Sequence, residues 1–405
     1  MGTGPDRHDD LDVLVVGAGP SGAAAATVAA RHGLRVAVVD RARFPRDKTC
    51  GDGLTTRALH LLEGLGVTLD TLPTARPVHE TVIVGPDGAT VHLPHPTHGL
   101  HAAVVPRREL DARLVDLARD AGARVHEGWE LTDLALGTTA ATARAADGST
   151  LRARWVIGAD GHWSRVRAAA GFAPAPRHAE WSAFRQYVSG TDVSALWVLF
   201  ERDLLPGYAW IFPLPDGRAN LGFGMLRSDA VKGKALARTW RDLLDRPSIR
   251  EVLGPDARLE GPARAWPIPV NYTPDRLAAR GALLVGDAAS VDDPMTGEGI
   301  AQSIETGILA AESIVGGGTR DAIERRYRDR VERALGRDLR FAARLGRILR
   351  SERGARWSIA AAGLTPWTRR NFARWMWEDY PRAAILTPDR WHRGMFTGAG
   401  AYLDR

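Results

Sequence analysis

The chain has 405 residues, enough for two or three domains or lobes with large apolar cores. Its 44% hydrophobic and 25% charged residues are typical of a globular protein and argue against a disordered, collagen-like or coiled-coil chain. The net charge of +6 comes from arginines spread over the whole sequence, without a basic stripe or a nucleic-acid motif, so we expect no nucleic-acid partner.

The cysteine content and the apolar runs limit the chemistry and the location. Cys50 is the only cysteine, so an intramolecular disulfide and a cysteine zinc cage are both excluded, and we predict no metal site. No apolar run reaches the roughly 18–20 residues that span a bilayer. Residues 1–10 are polar and lack the apolar core of a signal peptide, which predicts a cytoplasmic protein.

The first forty residues carry the pattern of a dinucleotide-binding unit. Leu11–Val16 is a short apolar run with β-branched residues, typical of a buried parallel strand. The glycine-rich segment 17–22 (GAGPSG) follows, then an alanine-rich helix to Arg31 and a second strand over Leu34–Val39. Asp40 closes that second strand.

Several positions in this unit need their residue type for a physical reason. Gly17 permits a tight turn, Gly19 lets the backbone approach a pyrophosphate, and Gly22 lets helix and strand pack closely. The helix N-terminus stabilises phosphate charge through its free N–H groups and its dipole. Asp40 is suited to accept hydrogen bonds from a ribose diol. The unit therefore predicts dinucleotide binding.

Three later segments indicate that the dinucleotide is FAD. The sequence has no second GxGxxG after a strand, which argues against a separate NAD(P) domain. Residues 105–111 (VPRRELD) open a helix that runs to about residue 121, and residues 154–161 (RWVIGADG) form a strand and a tight turn. Residues 282–300 form a strand ending in Gly-Asp and a Pro/Gly-rich turn before a long helix. With the glycine-rich fingerprint, these motifs resemble the para-hydroxybenzoate-hydroxylase-like superfamily of FAD enzymes.

The superfamily resemblance implies roles for several residues. Arg107 would reach the pyrophosphate, Asp287 would hold a ribityl hydroxyl, and Asp160 with Gly161 would serve both the cofactor and nicotinamide access. The helix that starts near Gly299 would direct its N-terminus at the flavin pyrimidine edge, where it stabilises the negative charge of a reduced ring. The alternative is that the two aspartates are ordinary turn residues.

Two further motifs resemble the geranylgeranyl reductase family. Residues 45–54 (PRDKTCGDGL) match that family's PRDKxCGDGL segment, and residues 208–213 (YAWIFP) with 222–224 (GFG) match its YxWxFP…GxG signature. The resemblance extends from about residue 12 to about residue 314. It implies cofactor contacts at Gly17, Gly19, Pro20, Ser21, Gly22, Asp40, Arg41, Lys48, Cys50, Gly51, Arg107, Asp160, Gly161, Gly286, Asp287, Pro294, Gly297, Gly299 and Ile300. It implies substrate contacts at Tyr208, Trp210, Phe212, Gly222 and Gly224, with Cys50, Tyr208 and Trp210 as the catalytic residues.

The aromatic residues of the second motif also follow a strand period. Tyr208, Trp210 and Phe212 alternate with period two, so they share one face of a strand. We expect Pro213 to end that strand and residues 220–225 to pair with it across a turn at 215–217 (PDG). Such a face suits an apolar pocket, and aromatic rings stabilise positive charge. The alternative is an ordinary aromatic stripe in a core.

Cys50 has two interpretations. The family resemblance places it beside the isoalloxazine ring and the substrate, where it would position the substrate or supply a proton. The alternative is a small buried residue in a packed loop. Lys48 nearby would lower the pKa of the thiol or contact phosphate.

The predicted fold is α/β: a doubly wound Rossmann-like FAD-binding domain with an inserted antiparallel β-sheet substrate domain and a helical C-terminal region. The FAD-binding domain is expected to be discontinuous, over residues 10–75, 100–172 and 268–330. The substrate domain would comprise residues 76–99, which contain a hairpin, and 173–267, which contain four strands and a helix near 229–244. The C-terminal region would comprise residues 331–405.

The C-terminal residues differ in character from the rest. We expect a long Arg-rich helix over residues 321–350, followed by a segment in which tryptophans alternate with arginines, at Trp357, Trp367, Trp375, Trp377 and Trp391. We favour helices that pack against the FAD domain with their arginines reaching solvent. The alternative is an amphipathic helix at a bilayer interface, a peripheral contact with the inner face of the membrane.

The family resemblance implies an FAD-dependent oxidoreductase that reduces C=C bonds of a hydrophobic prenyl or terpenoid (geranylgeranyl-like) substrate by hydride transfer from reduced flavin. NAD(P)H or ferredoxin would be the transient electron donor. The first alternative is a flavin monooxygenase that hydroxylates or epoxidises a hydrophobic or aromatic substrate. A flavin halogenase ranks lower because the WxWxIP stretch of that family is missing, and a prenyl-protein escort without catalysis ranks lower still. These motifs do not specify the exact substrate or the oligomeric state.

Overall fold

The computed structural model describes residues 11–96, 99–173, 179–227 and 233–397. Its strands are β1 (Leu11–Val16), β2 (Val36–Asp40), β3 (Gly53–Thr55), β4 (Arg76–Val78), β5 (Glu80–Val84), β6 (Thr90–Pro94), β7 (Ala102–Val104), β8 (Arg124–Glu127), β9 (Leu131–Leu136), β10 (Ala141–Ala145), β11 (Thr150–Gly158), β12 (Trp181–Ser189), β13 (Leu196–Leu199), β14 (Tyr208–Leu214), β15 (Arg218–Leu226), β16 (Arg258–Ile268), β17 (Ala278–Ala279) and β18 (Ala282–Leu284). Its helices are α1 (Pro20–Arg31), α2 (Thr56–Leu65), α3 (Arg107–Asp120), α4 (Arg165–Ala169), α5 (Gly233–Leu244), α6 (Pro247–Leu253), α7 (Ile300–Val315), α8 (Arg320–Val331), α9 (Arg337–Ile348), α10 (Glu352–Gly363) and α11 (Pro366–Met376).

A parallel sheet forms the dinucleotide-binding part. Its strands lie in the order β18, β11, β1, β2, β8, with β1 in the centre and almost completely buried. Because both faces of such a strand are covered, all but one of its residues are apolar. Helices α1 and α7 pack together beside it, and α3 packs on α1. The predicted strand–helix–strand unit is present, with β2 starting at Val36 instead of Leu34.

A second sheet of seven strands carries the aromatic motif. Its order is β16, β12, β15, β14, β13, β5, β6, and all neighbours are antiparallel except β13 and β5. Both predicted hairpins, β5–β6 and β14–β15, lie in this sheet. The expected end of the strand at Pro213 was wrong, because Pro213 and Leu214 still pair with Ala219 and Arg218 before the turn. The predicted helix near 229–244 begins at Gly233 within the described residues.

The C-terminal region is helical, but its last two helices do not pack where we expected. A π-helical turn, Glu332–Gly336, joins α8 to α9, so residues 320–348 form the long helix that the sequence predicts. Helices α10 and α11 pack mainly on β6 of the seven-stranded sheet, whereas we expected them on the FAD-binding part. Trp377 is buried there, and its Nε1 donates to Thr81 Oγ1 at 2.8 Å. Among the helices that the structure describes, none combines the length and the apolar character needed to cross a bilayer.

Candidate flavin and substrate site

A cavity of about 600 Å³ lies where the carboxyl ends of β1, β2 and β11 meet the seven-stranded sheet. Ligands of doubly wound folds bind at this edge, outside the carboxyl ends of the parallel strands. One end of the cavity is lined by the glycine-rich turn, and the other by the aromatic face of β14. The cavity therefore joins the predicted phosphate-binding end to the predicted apolar pocket.

The glycine-rich turn has the geometry that phosphate binding requires. Gly17 has φ +102°, and a Cβ there would lie 3.0 Å from the Asp160 nitrogen and closer still to the carbonyl of Ala159. A Cβ on Gly19 would meet nothing nearer than an arginine nitrogen at 3.9 Å, so this backbone faces open space. Helix α1 begins at Pro20 without a side-chain cap, which leaves its first N–H groups available to an anion.

The Asp40 carboxylate holds this turn to the end of β2. Its two oxygens accept hydrogen bonds from the backbone N–H groups of Ala18 and Ala42, each at 2.8 Å. Asp40 also lines the cavity. The side chain that we predict to bind a ribose fixes the loop that would contact the phosphates.

Buried polar atoms at the cavity fit a polar cofactor. Within the described ranges, Oδ1 of Asp160 and Oδ1 of Asp292 are buried and lack a hydrogen-bond partner. Oδ2 of Asp160 accepts from the backbone of Arg165 at 2.7 Å and of Val166 at 3.2 Å, so it caps α4. Burial raises the pKa of both aspartates. Unsatisfied buried groups are costly, and a ligand with hydroxyl and amide groups would satisfy them.

Most of the predicted site residues line this one cavity. Of the predicted cofactor residues, the wall includes Gly17, Gly19, Pro20, Ser21, Asp40, Arg41, Lys48, Cys50, Gly51, Arg107, Asp160, Gly161, Asp287, Gly297, Gly299 and Ile300. Of the predicted substrate residues, it includes Tyr208, Trp210, Phe212 and Gly224. Four predicted residues do not line the cavity: Gly22, Gly222, Gly286 and Pro294. Gly22 lies against the carbonyl of Gly17, and Gly222 lies against the Trp210 ring.

The aromatic face is a continuous row of rings. The ring centroids of Tyr208 and Trp210 are 6.2 Å apart, and those of Trp210 and Phe212 are 6.3 Å apart. Trp210 Nε1 donates to Oδ1 of Asn220 at 3.0 Å, and the Tyr208 hydroxyl donates to the carbonyl of Thr296. Burial raises the pKa of Tyr208, so its hydroxyl is neutral. The row therefore offers the cavity a neutral π surface.

A buried carboxylate, Asp52, ties the loop of Cys50 to the seven-stranded sheet. It accepts hydrogen bonds from the Tyr187 hydroxyl and from Nδ2 of Asn220, both at 2.8 Å, and from the backbone of Arg107 at 3.2 Å. The same Asn220 amide donates to the Cys50 carbonyl at 2.8 Å. Burial raises the pKa of Asp52 to about 6. Asp52 therefore positions the loop against β12 and β15 of the seven-stranded sheet and against the start of α3.

The Cys50 side chain is a thiol, not a thiolate. Burial raises its pKa, and the guanidinium of Arg107 opposes that rise only in part. Arg107 is itself held by Asp111 through hydrogen bonds of 2.7 and 2.9 Å. Lys48 does not produce the predicted low thiol pKa. Its ammonium lies 3.6 Å from the centroid of the Trp266 ring, and burial lowers its own pKa to about 8.

Several residues of the cavity wall were not predicted from the sequence, among them Trp181, Trp266, Asp292 and Glu298. Trp181 and Trp266 lie on β12 and β16, which pair so that both rings are at the same end of the sheet. Asp292 and Glu298 lie within or beside the segment that follows the Gly-Asp motif. Asp292 and Glu298 could have been predicted from that segment of the sequence. Prediction of the two tryptophans required the register of the sheet.

The similarity of this chain to known proteins agrees with a cavity that fits FAD. A family model described as an FAD binding domain matches residues 10–315. The protein is therefore an FAD-dependent oxidoreductase. A menaquinone reductase from Mycolicibacterium smegmatis is 37% identical over 330 residues, which cover 76% of this chain and 78% of that protein. A digeranylgeranylglycerophospholipid reductase from Methanopyrus kandleri is 33% identical over 353 residues, covering 84% of this chain and 86% of the relative.

A solved structure has the same fold. The geranylgeranyl bacteriochlorophyll reductase-like protein from Thermoplasma acidophilum superposes with a TM-score of 0.79 at 23% identity, covering 94% of this chain and 99% of its own. The chain belongs to the geranylgeranyl reductase family of FAD-dependent oxidoreductases.

Proposed function

We propose that this enzyme reduces C=C bonds in the prenyl chain of an isoprenoid substrate. The observation that carries the proposal is the row of Tyr208, Trp210 and Phe212, which lines the same cavity as the glycine-rich turn. Such a surface stabilises an apolar prenyl chain, because burial of apolar area is favourable. The curated relatives named after menaquinone and digeranylgeranylglycerophospholipid support this substrate class.

The chain's own residues would hold FAD along the cavity. Gly17, Gly19 and the start of α1 would bind the pyrophosphate, and Asp287 and Asp160 would bind polar groups of the ribityl chain and ring. The N-terminus of α7, at Gly299, would stabilise negative charge on the ring. When bound and reduced, FAD supplies the hydride that C=C reduction requires.

The aromatic row also has a role in the chemistry. An isolated trisubstituted alkene accepts hydride poorly, so protonation of one carbon has to develop positive charge on its neighbour. The faces of Tyr208 and Trp210 would stabilise that charge, which is worth about 0.5–2 kcal/mol for a cation against an aromatic ring. Exclusion of water by the buried row prevents water from capturing the cation. Cys50 lies on the same cavity, where it would position the alkene.

A reduced, oxygen-free sample tests the proposal. The FAD-loaded protein is reduced anaerobically and mixed with a menaquinone that carries an unsaturated prenyl tail, and the product is fragmented in a mass spectrometer. We expect two added hydrogen atoms per turnover in the tail. Hydrogen added only to the quinone ring would contradict the proposal. Flavin oxidation only after oxygen is admitted, with oxygen in the product, would indicate a monooxygenase.

The electron donor is a further part of the proposal. We propose that NAD(P)H or a ferredoxin-like protein reduces the cofactor transiently, since the sequence carries a single dinucleotide fingerprint. Anaerobic mixing with NADPH, NADH or reduced ferredoxin, followed by the flavin absorbance, identifies the donor. Reduction by dithionite alone would contradict this part.

We also propose that α10 and α11 contact the cytoplasmic face of an anionic bilayer. Trp357, Leu364 and Trp367 on or beside these helices are 78%, 73% and 56% exposed, which is unusual for large apolar side chains. Arg353 and Arg369 on the same helices supply positive charge. Tryptophan with arginine favours an anionic interface. The pair of substitutions Trp357→Ser and Trp367→Ser should reduce sedimentation with anionic vesicles. Equal sedimentation of wild type and variant would oppose this contact.

A further inference from the structure

A group of buried polar side chains separates the substrate cavity from a second cavity. The second cavity, of about 1010 Å³, is lined by Gln302, Glu378 and Arg382 among others. Glu298 lines the first cavity together with Tyr208. Glu298 precedes α7 and Gln302 is in its first turn; we call Glu298, Gln302, Glu378 and Arg382 the polar layer.

Hydrogen bonds connect this layer to the second cavity. The Glu378 carboxylate accepts from Thr55 Oγ1 and from Gln302 Nε2, both at 2.8 Å. Nη2 of Arg382 lies 3.6 Å from Glu378, and its Nε donates to Asp293 at 3.1 Å. Oε1 of Gln302, a residue only 5% exposed, has no hydrogen-bond partner among the residues described. Oε1 of Gln302 is therefore available to accept a hydrogen bond from a water molecule or from a protonated acid.

Charge in the layer favours a protonated carboxyl group at Glu298. Burial, and then repulsion by the Glu378 carboxylate, raise the pKa of Glu298 to about 8, while Arg382 opposes the rise. Glu298 is half-buried and lines the substrate cavity. An acid with a pKa near the working pH is the most effective proton donor. The Cys50 thiol is a weaker acid, because burial raises its pKa above the ordinary value of 9.0.

We infer that Glu298 donates the proton to the alkene and that the Glu378 carboxylate keeps this proton on Glu298 until the step occurs. The inference rests on the proposed function. In the step, the Glu298 O–H bond breaks and a C–H bond forms at one alkene carbon, leaving a carboxylate. The other carbon gains hydride from reduced FAD, so the alkene is reduced by two electrons and FAD is oxidised. Glu298 would be a catalytic residue, and Glu378 a positioning residue.

The first test compares Glu298→Gln with the wild-type protein. Both are loaded with FAD, reduced anaerobically and mixed with geranylgeranyl diphosphate, which has isolated C=C bonds and no quinone ring. We expect flavin oxidation to slow at least ~100-fold in the variant, the usual loss when a general acid is removed. Glu312→Gln is the matched control, because Glu312 lies on α7, the helix that follows Glu298, and lines neither cavity, although its partner Arg330 lines the second one. Equal bound FAD in all three proteins shows that each variant is folded.

The second test measures the proton itself in FAD-free protein. Infrared difference spectra between wild type and Glu298→Gln should contain the C=O band of a protonated carboxylic acid that disappears near pH 8. In Glu378→Gln the midpoint should fall, because one negative neighbour is removed. The other charged or titratable groups around Glu298 are Asp292, Asp293, Arg382, Tyr208 and Cys50.

The outcomes separate the two hypotheses. If the wild-type protein leaves the prenyl probe and the prenyl menaquinone unchanged, the proposed function fails, whatever the infrared result. If the wild-type protein reduces the probe and Glu298→Gln does so within threefold of the same rate, the assignment of Glu298 is overturned. An unchanged infrared midpoint in Glu378→Gln would overturn the role of Glu378.

Discussion

The aromatic row depends on one glycine, and its substitution gives a sharp prediction. Gly222 on β15 pairs with Trp210 on β14. A Cβ at this position would lie 2.5 Å from Cε2 of the Trp210 ring and closer still to Cζ2 and to the carbonyl oxygen of Phe184. Its φ is not in the left-handed region, so the substitution Gly222→Ala strains packing and not the local backbone. The Phe184 oxygen belongs to a paired strand and is held in place.

The size of the effect follows from these contacts. Overpacking in a closely packed core costs about 1–3 kcal/mol. Displacement of the Trp210 ring also breaks its hydrogen bond to Asn220, for about 1 kcal/mol more. We expect Gly222→Ala to lower the free energy of unfolding by about 2–4 kcal/mol. Gly224→Ala is the matched control, because a Cβ there would meet ring carbons of Trp181 and Trp210 at 3.7–3.9 Å, which are ordinary contacts.

Urea unfolding of both variants, followed by tryptophan fluorescence, measures the difference directly. We expect Gly224→Ala to unfold within about 0.5 kcal/mol of the wild-type protein. We also expect Gly222→Ala to lose prenyl turnover while its glycine-rich turn still binds FAD. If the two variants were equally stable, the steric reasoning about Trp210 would be refuted.

Three further predictions test other parts of the site. Tyr208→Ala removes a ring from the row and should lower turnover about 10-fold while the flavin spectrum stays nearly unchanged; loss of FAD would instead mean that the strand is structural. Asp40→Ala removes two hydrogen bonds that hold the glycine-rich turn, so isothermal titration should show the Kd for FAD rising at least ~10-fold. The pKa of Asp52 is raised from 3.8 to about 6, so its contribution to stability is complete below pH 3.8 and is lost as the pH rises through 6. Between about pH 4 and pH 7, the free energy of unfolding of Asp52→Asn should therefore rise by up to about 3 kcal/mol relative to that of the wild-type protein. A difference in free energy of unfolding that does not change with pH would contradict the role of Asp52.

The local features of this protein follow from its amino-acid sequence alone. The strand, glycine-rich turn and helix of residues 11–31 follow from β-branched residues, glycine geometry and helix propensity, which act between near neighbours. The shared face of Tyr208, Trp210 and Phe212 follows from the period of a strand, which is also a local property. The motifs then identified the family, because they occur in the right order along the chain.

The contacts between side chains that are far apart in the sequence depend on the tertiary fold. Asp52 binds Tyr187, 135 residues away, and Asn220, 168 residues away, since the loop of Cys50 folds back onto the sheet. The packing of α10 and α11 on β6, and the layer between Glu298 and Glu378, have the same origin. Such contacts depend on strand register and on how the sheets and helices pack, and a single residue of register shift would place each side chain on the opposite face. Local patterns specify the period of each element but not its partners, so these parts of the site required the fold.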